Sequence, residues 1–233
     1  MLPGADPRKV LDQSAMTRLQ VLVIVMTVAL NALDGFDILS ISFASPGIAA
    51  EWGILPPELG IVLSMELIGM GLGSLLLGGI ADQMGRRPTV LACLSVMAVG
   101  MLLAPTAENT IELSFWRIVT GFGIGGMLSS TNALAAEFAS RRRRNFCIAA
   151  MATGYSIGGV VGGFFASRLL EVFDWRSTFY LGAGLTALCV PVFYLLVPES
   201  VHWLVFDQEH AHLPPFLHNP ANLRESHAQL TPS

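Results

Sequence analysis

The sequence predicts an all-α membrane protein, a bundle of six transmembrane helices, and three observations carry that prediction. Its 233 residues are 53% hydrophobic and only 13% charged, with a mean hydropathy of +0.60, whereas charged residues make up about a quarter of a typical soluble domain. Six apolar stretches, at 19–44, 59–81, 89–107, 111–138, 146–170 and 178–197, are each long enough to cross a ~30 Å hydrocarbon core at about 1.5 Å per residue. The basic residues alternate in placement. Arg8, Lys9 and Arg18 precede the first stretch, Arg86 and Arg87 follow the second and Arg141 to Arg144 follow the fourth, against only Arg168 and Arg176 on the other side. Because cytoplasmic loops carry the excess of Lys and Arg, this distribution places both termini on the cytoplasmic side of a cell inner membrane.

Taken in order, residues 1–18 form a short polar cytoplasmic lead. The first stretch exceeds the core of a signal peptide, about 7–15 residues, carries Asp34 and Asp37 and lacks a small-residue cleavage site, so it reads as a retained helix. The second, fourth and fifth are rich in glycine, with Gly154, Gly158 and Gly162 forming one stripe. In lipid, where no hydrophobic force pulls helices together, such small residues let backbones approach closely. The connections opposite the basic ones hold Glu51 and Glu58, then Glu108 and Glu112, then Arg168, Glu171, Asp174 and Arg176. Six helices therefore fill 19–197, and 198–233 is a polar tail whose Pro, His, Asn and Gln content predicts disorder.

Composition and pattern exclude several classes of function. A net charge of −4 argues against nucleic acid as a partner. Cys93, Cys147 and Cys189 form no CxxC or Cys/His pattern, and all five histidines, His202, His210, His212, His218 and His227, fall in the tail, so neither a metal nor a disulfide framework is expected. The run Gly121, Gly123, Gly126 matches G-x-G-x-x-G but lies inside an apolar helix instead of at a strand-to-helix turn, where free amides would meet a pyrophosphate. No nucleophile and base share the helices. No catalytic residue and no cofactor is expected.

Charges inside lipid point to a site instead. Each costs at least about 2.5–3.5 kcal/mol on insertion scales, so Asp34, Asp37, Glu66 and Arg117 are expected to face a cavity or pair with one another. Asp34 and Asp37 share a helix face with Asn31, and at about 1.5 Å per residue all four charges fall roughly 10–14 Å from the outer boundary. A carboxylate near an arginine in such a cavity can take and release a proton as its surroundings change. Arg117 could alternatively hold the carboxylate of an anionic substrate in a bidentate contact.

The most specific local pattern runs from Gly78 through Asp82 and Gly85 to Arg86 and Arg87. It resembles the G-x-x-x-D-R-x-G-R-R loop between helices 2 and 3 of the major facilitator superfamily, with Gln83 where that family usually has Arg. Arg117 followed by Gly121, Gly123, Gly125 and Gly126 resembles the family's helix 4, and Pro198-Glu199-Ser200 with Trp203-Leu204 is similar to the segment that closes its first half. Asp34-Gly35-Phe36-Asp37 and the stretch Thr131 to Glu137 resemble the aromatic acid:proton symporters within it.

What the resemblance implies is the amino-terminal half of a twelve-helix carrier, built of two inverted three-helix repeats, that imports a small organic or aromatic anion with protons. Asp34, Asp37, Arg117, Asn31 and Glu66 would bind substrate and proton. Gly78, Asp82, Gly85, Arg86, Arg87 and Glu137 would form a cytoplasmic gate, with Glu137 pairing to Arg86 or to the arginine cluster. The partners implied are the anion, protons, membrane lipids and a second half-transporter or a second copy of this chain. Two alternatives stay open. One is an exporter of drugs or metabolites, although the stretch from Gly154 to Gly163 lacks the proline common there. The other is a truncated, transport-inactive fragment, because the tail after Trp203 ceases to resemble a linker into a seventh helix.

Overall fold

The computed structural model describes residues 18–139 and 143–197, apart from the side chain of Asp82. The expected lead and tail, the Pro198 to Leu204 motif, the five histidines, and Arg141 and Arg142 lie outside the described residues. Six long helices account for nearly all of the rest: α1 Arg18–Trp52, α2 Pro56–Met84, α3 Arg86–Leu103, α4 Thr110–Phe138, α5 Arg144–Leu170 and α6 Arg176–Leu196, with a 3-10 turn at Ala104–Thr106.

Local chemistry sets their ends. Pro56 and Pro57 open α2, where their missing N–H groups cost nothing. Asn109 caps α4 by accepting from the amides of Ile111 and Glu112, while Glu112 accepts from the Glu108 amide, so three donors at this end are satisfied by side chains. Gly85 separates α2 from α3 at φ +100°, a backbone that only glycine adopts without strain.

Helix α1 runs eight residues beyond the expected boundary, through Pro46. A proline there frees the carbonyl four residues earlier, and the Ser45 hydroxyl donates to that carbonyl, of Ser42, at 2.9 Å. Glu51 consequently lies in the last turn of α1, not in the loop where the sequence placed it.

Five of the six helices are long and apolar enough to cross a membrane by composition alone. The exception is α4, which is diluted by glycine, serine and threonine and carries Arg117. It is the most enclosed helix and meets α2, α3 and α1, so it needs little lipid-facing surface.

Helix α1 packs chiefly on α5, α2 on α4, and α3 on both α4 and α6. Exchanging α1–α3 with α4–α6 turns the first pair into the second and maps α3/α6 onto itself, the pattern two three-helix repeats produce. Both equivalent seams are closed by glycine. A Cβ on Gly73 or Gly125 would overlap the facing carbonyl of Phe122 or Met70, and one on Gly35 or Gly158 that of Tyr155 or Ala32.

The interior is polar and the exterior apolar. Asp34, Asp37, Glu66 and Arg117 are buried, whereas Leu75, Val160 and Leu195 are each more than 75% exposed. That inversion suits a chain whose solvent is lipid.

Candidate functional site

The centre of the bundle is organised by Arg117. Its helix is brought against α2 where Gly121 meets the Glu66 backbone, and this proximity lets Arg117 Nη2 donate to the Glu66 carboxylate. The same nitrogen donates to the Asp37 carbonyl at 3.2 Å. Nη1 reaches Ser40 Oγ at 3.4 Å and Met101 Sδ at 3.7 Å, and the guanidinium carbon lies 5.7 Å from the centre of the Phe179 ring. Side chains from α1, α2, α3 and α6 thus enclose one arginine of α4, and it has no exposed surface.

Beside Glu66, the buried acids Asp34 and Asp37 lie one turn apart on α1, and Asp37 is the one that meets this cation. Among the described residues, neither carboxylate oxygen of Asp34 or Asp37 has a hydrogen-bond partner, nor does Glu66 Oε1. Asp34 and Asp37 are wholly buried. Burying a charge without partners is among the most expensive arrangements a protein can hold.

Of the expected residues, the structure brings Glu66 and Asp37 to Arg117, whereas Asp34, a turn away on α1, makes no contact with it among the described residues. Asp37 meets Arg117 through its backbone carbonyl, and its carboxylate lies beside Gly182 of α6 instead. Asn31 does not join. Its amide donates to Thr27 O at 3.0 Å, and it lines a separate pocket of about 320 Å³ with Asn132, Ile148, Met151, Ala152 and Tyr155. The enclosure of Arg117 also leaves it without a surface on which a substrate carboxylate could dock in this conformation.

At the basic face, Arg86 Nε lies 3.6 Å from Glu137 Oε1, joining the start of α3 to the end of α4. Arg87 turns the other way. It donates to the Tyr194 carbonyl at 2.6 Å and stacks 4.7 Å over the Tyr194 ring, holding the last turn of α6, where a cation also complements the helix dipole. Gly85 supplies the turn, and Gly78 faces Ser129 of α4. Asp82, whose side chain is not described, occupies the last turn of α2.

Sequence reasoning missed a second cluster at the opposite face. Glu51 accepts from Trp175 Nε1 at 2.7 Å and from both terminal nitrogens of Arg176 at 2.7 and 2.8 Å. Arg176 Nε donates to Pro105 O at 3.0 Å, and Trp175 stands edge-on to Phe179 at 5.9 Å. The available signal was Trp175-Arg176 at the head of a helix, read from sequence only as part of a mixed-charge loop.

The model of the Major Facilitator Superfamily matches residues 27–226. A gallate transporter of Pseudomonas putida is 30% identical over 203 residues, covering 87% of this chain and 45% of the relative. A benzoate transport protein of Acinetobacter baylyi is 30% identical over 202 residues, covering 84% and 43%. Among solved structures, a proton:xylose symporter bound to 6-bromo-6-deoxy-D-glucose superposes with a TM-score of 0.75 at 18% identity, over 89% of this chain and 52% of that one. The chain spans about half the length of the relatives it matches.

Proposed function

From the premise that the chain belongs to the Major Facilitator Superfamily, we propose that it is the six-helix amino-terminal half of a proton-coupled carrier of aromatic acids. The observation that carries this reading is a set of three buried carboxylates, Glu66 paired with Arg117 and Asp34 and Asp37 with no hydrogen-bond partner among the described residues. A proton on Asp34 or Asp37 removes a charge that the site does not otherwise compensate, and its release restores one. Because Arg117 is held at once by Asp37, Ser40 and Glu66, a change of charge beside it shifts the balance among α1, α2 and α4. That is the physical requirement for tying proton movement to helix movement.

The aromatic acid is supported by the relatives, whose names specify gallate and benzoate. The basic face, with Arg18, Arg86, Arg87, Arg143 and Arg144, is the cytoplasmic one under the positive-inside rule, and the arginines there interact with anionic headgroups. Arg86 and Glu137, with Arg87 on α6, serve as the gate between the helices at this face. Since binding sites of such carriers form between repeated units, a second six-helix half or a second copy completes the path.

Proteoliposomes holding the purified chain, loaded to impose an inward proton gradient and supplied with radiolabelled benzoate, test the reading. Gradient-driven uptake that Asp34→Asn abolishes supports it. Uptake that persists in Asp34→Asn, or that ignores collapse of the gradient, overturns it. A second reading, a six-helix unit inactive by itself, is favoured by the half-length coverage and predicts no uptake by the wild-type chain.

A further inference from the structure

Two ion pairs occupy equivalent places on opposite faces of the bundle. Arg86, the first residue of α3, meets Glu137, the last but one of α4; Arg176, the first residue of α6, meets Glu51, the last but one of α1. Exchanging α1–α3 with α4–α6 carries one pair onto the other. It also carries the Arg87 contact with the Tyr194 carbonyl, in the last turn of α6, onto the Arg176 contact with the Pro105 carbonyl, just past α3. The repeat that builds both helix seams therefore builds a latch at each face.

Beneath the Glu51–Arg176 latch, α6 turns one face inward. Trp175, Thr178, Phe179 and Gly182 follow the i, i+3, i+4, i+7 spacing of a single helix face, and the first three are buried. Trp175 caps this face. Its side chain lies against Gly47 of α1, where a Cβ would come within 2.9 Å of the Trp175 Cβ, and Glu51 holds it by the ring nitrogen. Gly182, about 9 Å further along the axis than Arg176, lies beside the Asp37 carboxylate. Between them stands Thr178, whose buried hydroxyl has no hydrogen-bond partner among the described residues. An orphaned hydroxyl at such a place is what an entering water would satisfy.

We propose that this face of α6 is the route by which protons reach Asp37 from the side opposite the basic face, with Trp175 as its plug, the Glu51–Arg176 pair as the latch on that plug, and Thr178 as the step between; the inference rests on the carrier reading above. Release of the latch lets Trp175 leave Gly47 and admits water to Thr178. A hydronium gives a proton to the Thr178 oxygen as the hydroxyl proton passes through a second water to Asp37. The hydroxyl is restored, and the carboxylate ends protonated. The titratable groups that act on Asp37 are Asp34 on its own helix, Glu66 of α2, Arg117 of α4 and Cys189 of α6, while Cys93 of α3 and Tyr155 of α5 act on Asp34. Phe179, on the same face of α6, lies over Arg117, so movement of the head of α6 also reaches the cation that the Asp37 carbonyl holds.

Thr178→Cys in the full chain in nanodiscs, labelled by a cationic methanethiosulfonate that stays in water, tests the latch, with the unsubstituted chain as the blank for Cys93, Cys147 and Cys189. Labelling should quicken about fivefold when Glu51→Ala removes the pair, the effect of a partly exposed ion pair. Salt loosens the same pair, so the chain that keeps Glu51 should also label faster as sodium chloride rises. Thr186→Cys, two turns further along α6, should stay slow throughout. For the hydroxyl, Thr178→Val keeps the shape and removes the proton. Protonation of Asp37 after an acid jump, followed by the infrared carboxyl band that Asp37→Asn abolishes, should slow about tenfold in that variant. Labelling at Thr178→Cys that ignores both Glu51→Ala and salt, or that quickens equally at Thr186→Cys, overturns the latch. An unchanged protonation rate in Thr178→Val overturns the route. If benzoate uptake is absent while labelling and protonation behave as expected, the carrier reading alone falls; uptake with protonation indifferent to Thr178 sinks the route alone.

Discussion

Phe179 of α6 places its ring 5.7 Å from the guanidinium carbon of Arg117 while standing edge-on to Trp175, whose indole nitrogen donates to Glu51. One line of contacts therefore joins the charged cluster at the end of α1 and the start of α6 to the buried arginine. Phe179 is fully enclosed, and a cation over an aromatic face gains about 2 kcal/mol when desolvated. Phe179→Leu should lower the stability of the purified chain by about 1–3 kcal/mol, measured as Tm in detergent. Phe179→Trp, which keeps the ring, should lose less if the cation–π contact matters; an equal loss in both would show that shape alone sets the cost.

The two helix seams give a sharper contrast. A Cβ on Gly125 would run into the Met70 carbonyl, whereas one on Gly71 meets nothing within 4 Å. Gly125→Ala should therefore separate α2 from α4 and cost about 2 kcal/mol or more. Gly71→Ala should be neutral or stabilise by about 0.5–1 kcal/mol, since it only trades backbone freedom for helix propensity. Thermal unfolding of both, followed by loss of helical circular dichroism, checks the pair, and equal effects would remove the packing argument.

Much of this architecture was legible in the sequence because lipid imposes it. All six helices were read from the length of their apolar stretches; five also pass as candidate spans by composition, while α4 is diluted by Gly121, Gly123, Gly125 and Gly126. The cost of isolated charge led to the expectation that Asp34, Asp37, Glu66 and Arg117 face a cavity or pair with one another, and the structure pairs Glu66 with Arg117. What sequence could not supply was direction around each helix. The expected face carrying Asn31 with Asp34 and Asp37 divides in three dimensions, Asn31 toward the α4/α5 pocket and the acids inward. Glu51, Trp175 and Arg176 were hidden for a different reason, because the first apolar stretch ends at 44 while α1 continues through Pro46 to Trp52 and carries Glu51 with it.

At the opposite face, Glu51 and Arg176 form a bidentate pair in which both side chains keep some exposure, 40% and 28%. Water and salt screen such a pair, so its worth stays near 1 kcal/mol or below despite good geometry. Glu51→Gln should lower stability by about 0.5–1 kcal/mol at low salt, and the gap to the wild type should shrink as sodium chloride rises. A larger, salt-independent loss would mean that the Trp175 hydrogen bond, not the ion pair, holds the ends of α1 and α6 together.

The buried acids are not equivalent, and their substitution should separate structure from function. Glu66 is the carboxylate that Arg117 engages directly. Removing its charge leaves a guanidinium with no exposed surface and no ion-pair partner, and breaking one side of a buried pair typically costs about 3–5 kcal/mol. Asp34 has no hydrogen-bond partner to lose among the described residues. An amide there keeps the shape and removes only the ability to carry charge, so Asp34→Asn should match or exceed the wild type in Tm while Glu66→Gln falls well below it. Stability retained at a position where proton-driven uptake is lost is what a residue kept for function at the expense of stability looks like. If Asp34→Asn instead unfolds the chain as Glu66→Gln does, Asp34 has a structural partner, and the proton site must be sought at Asp37.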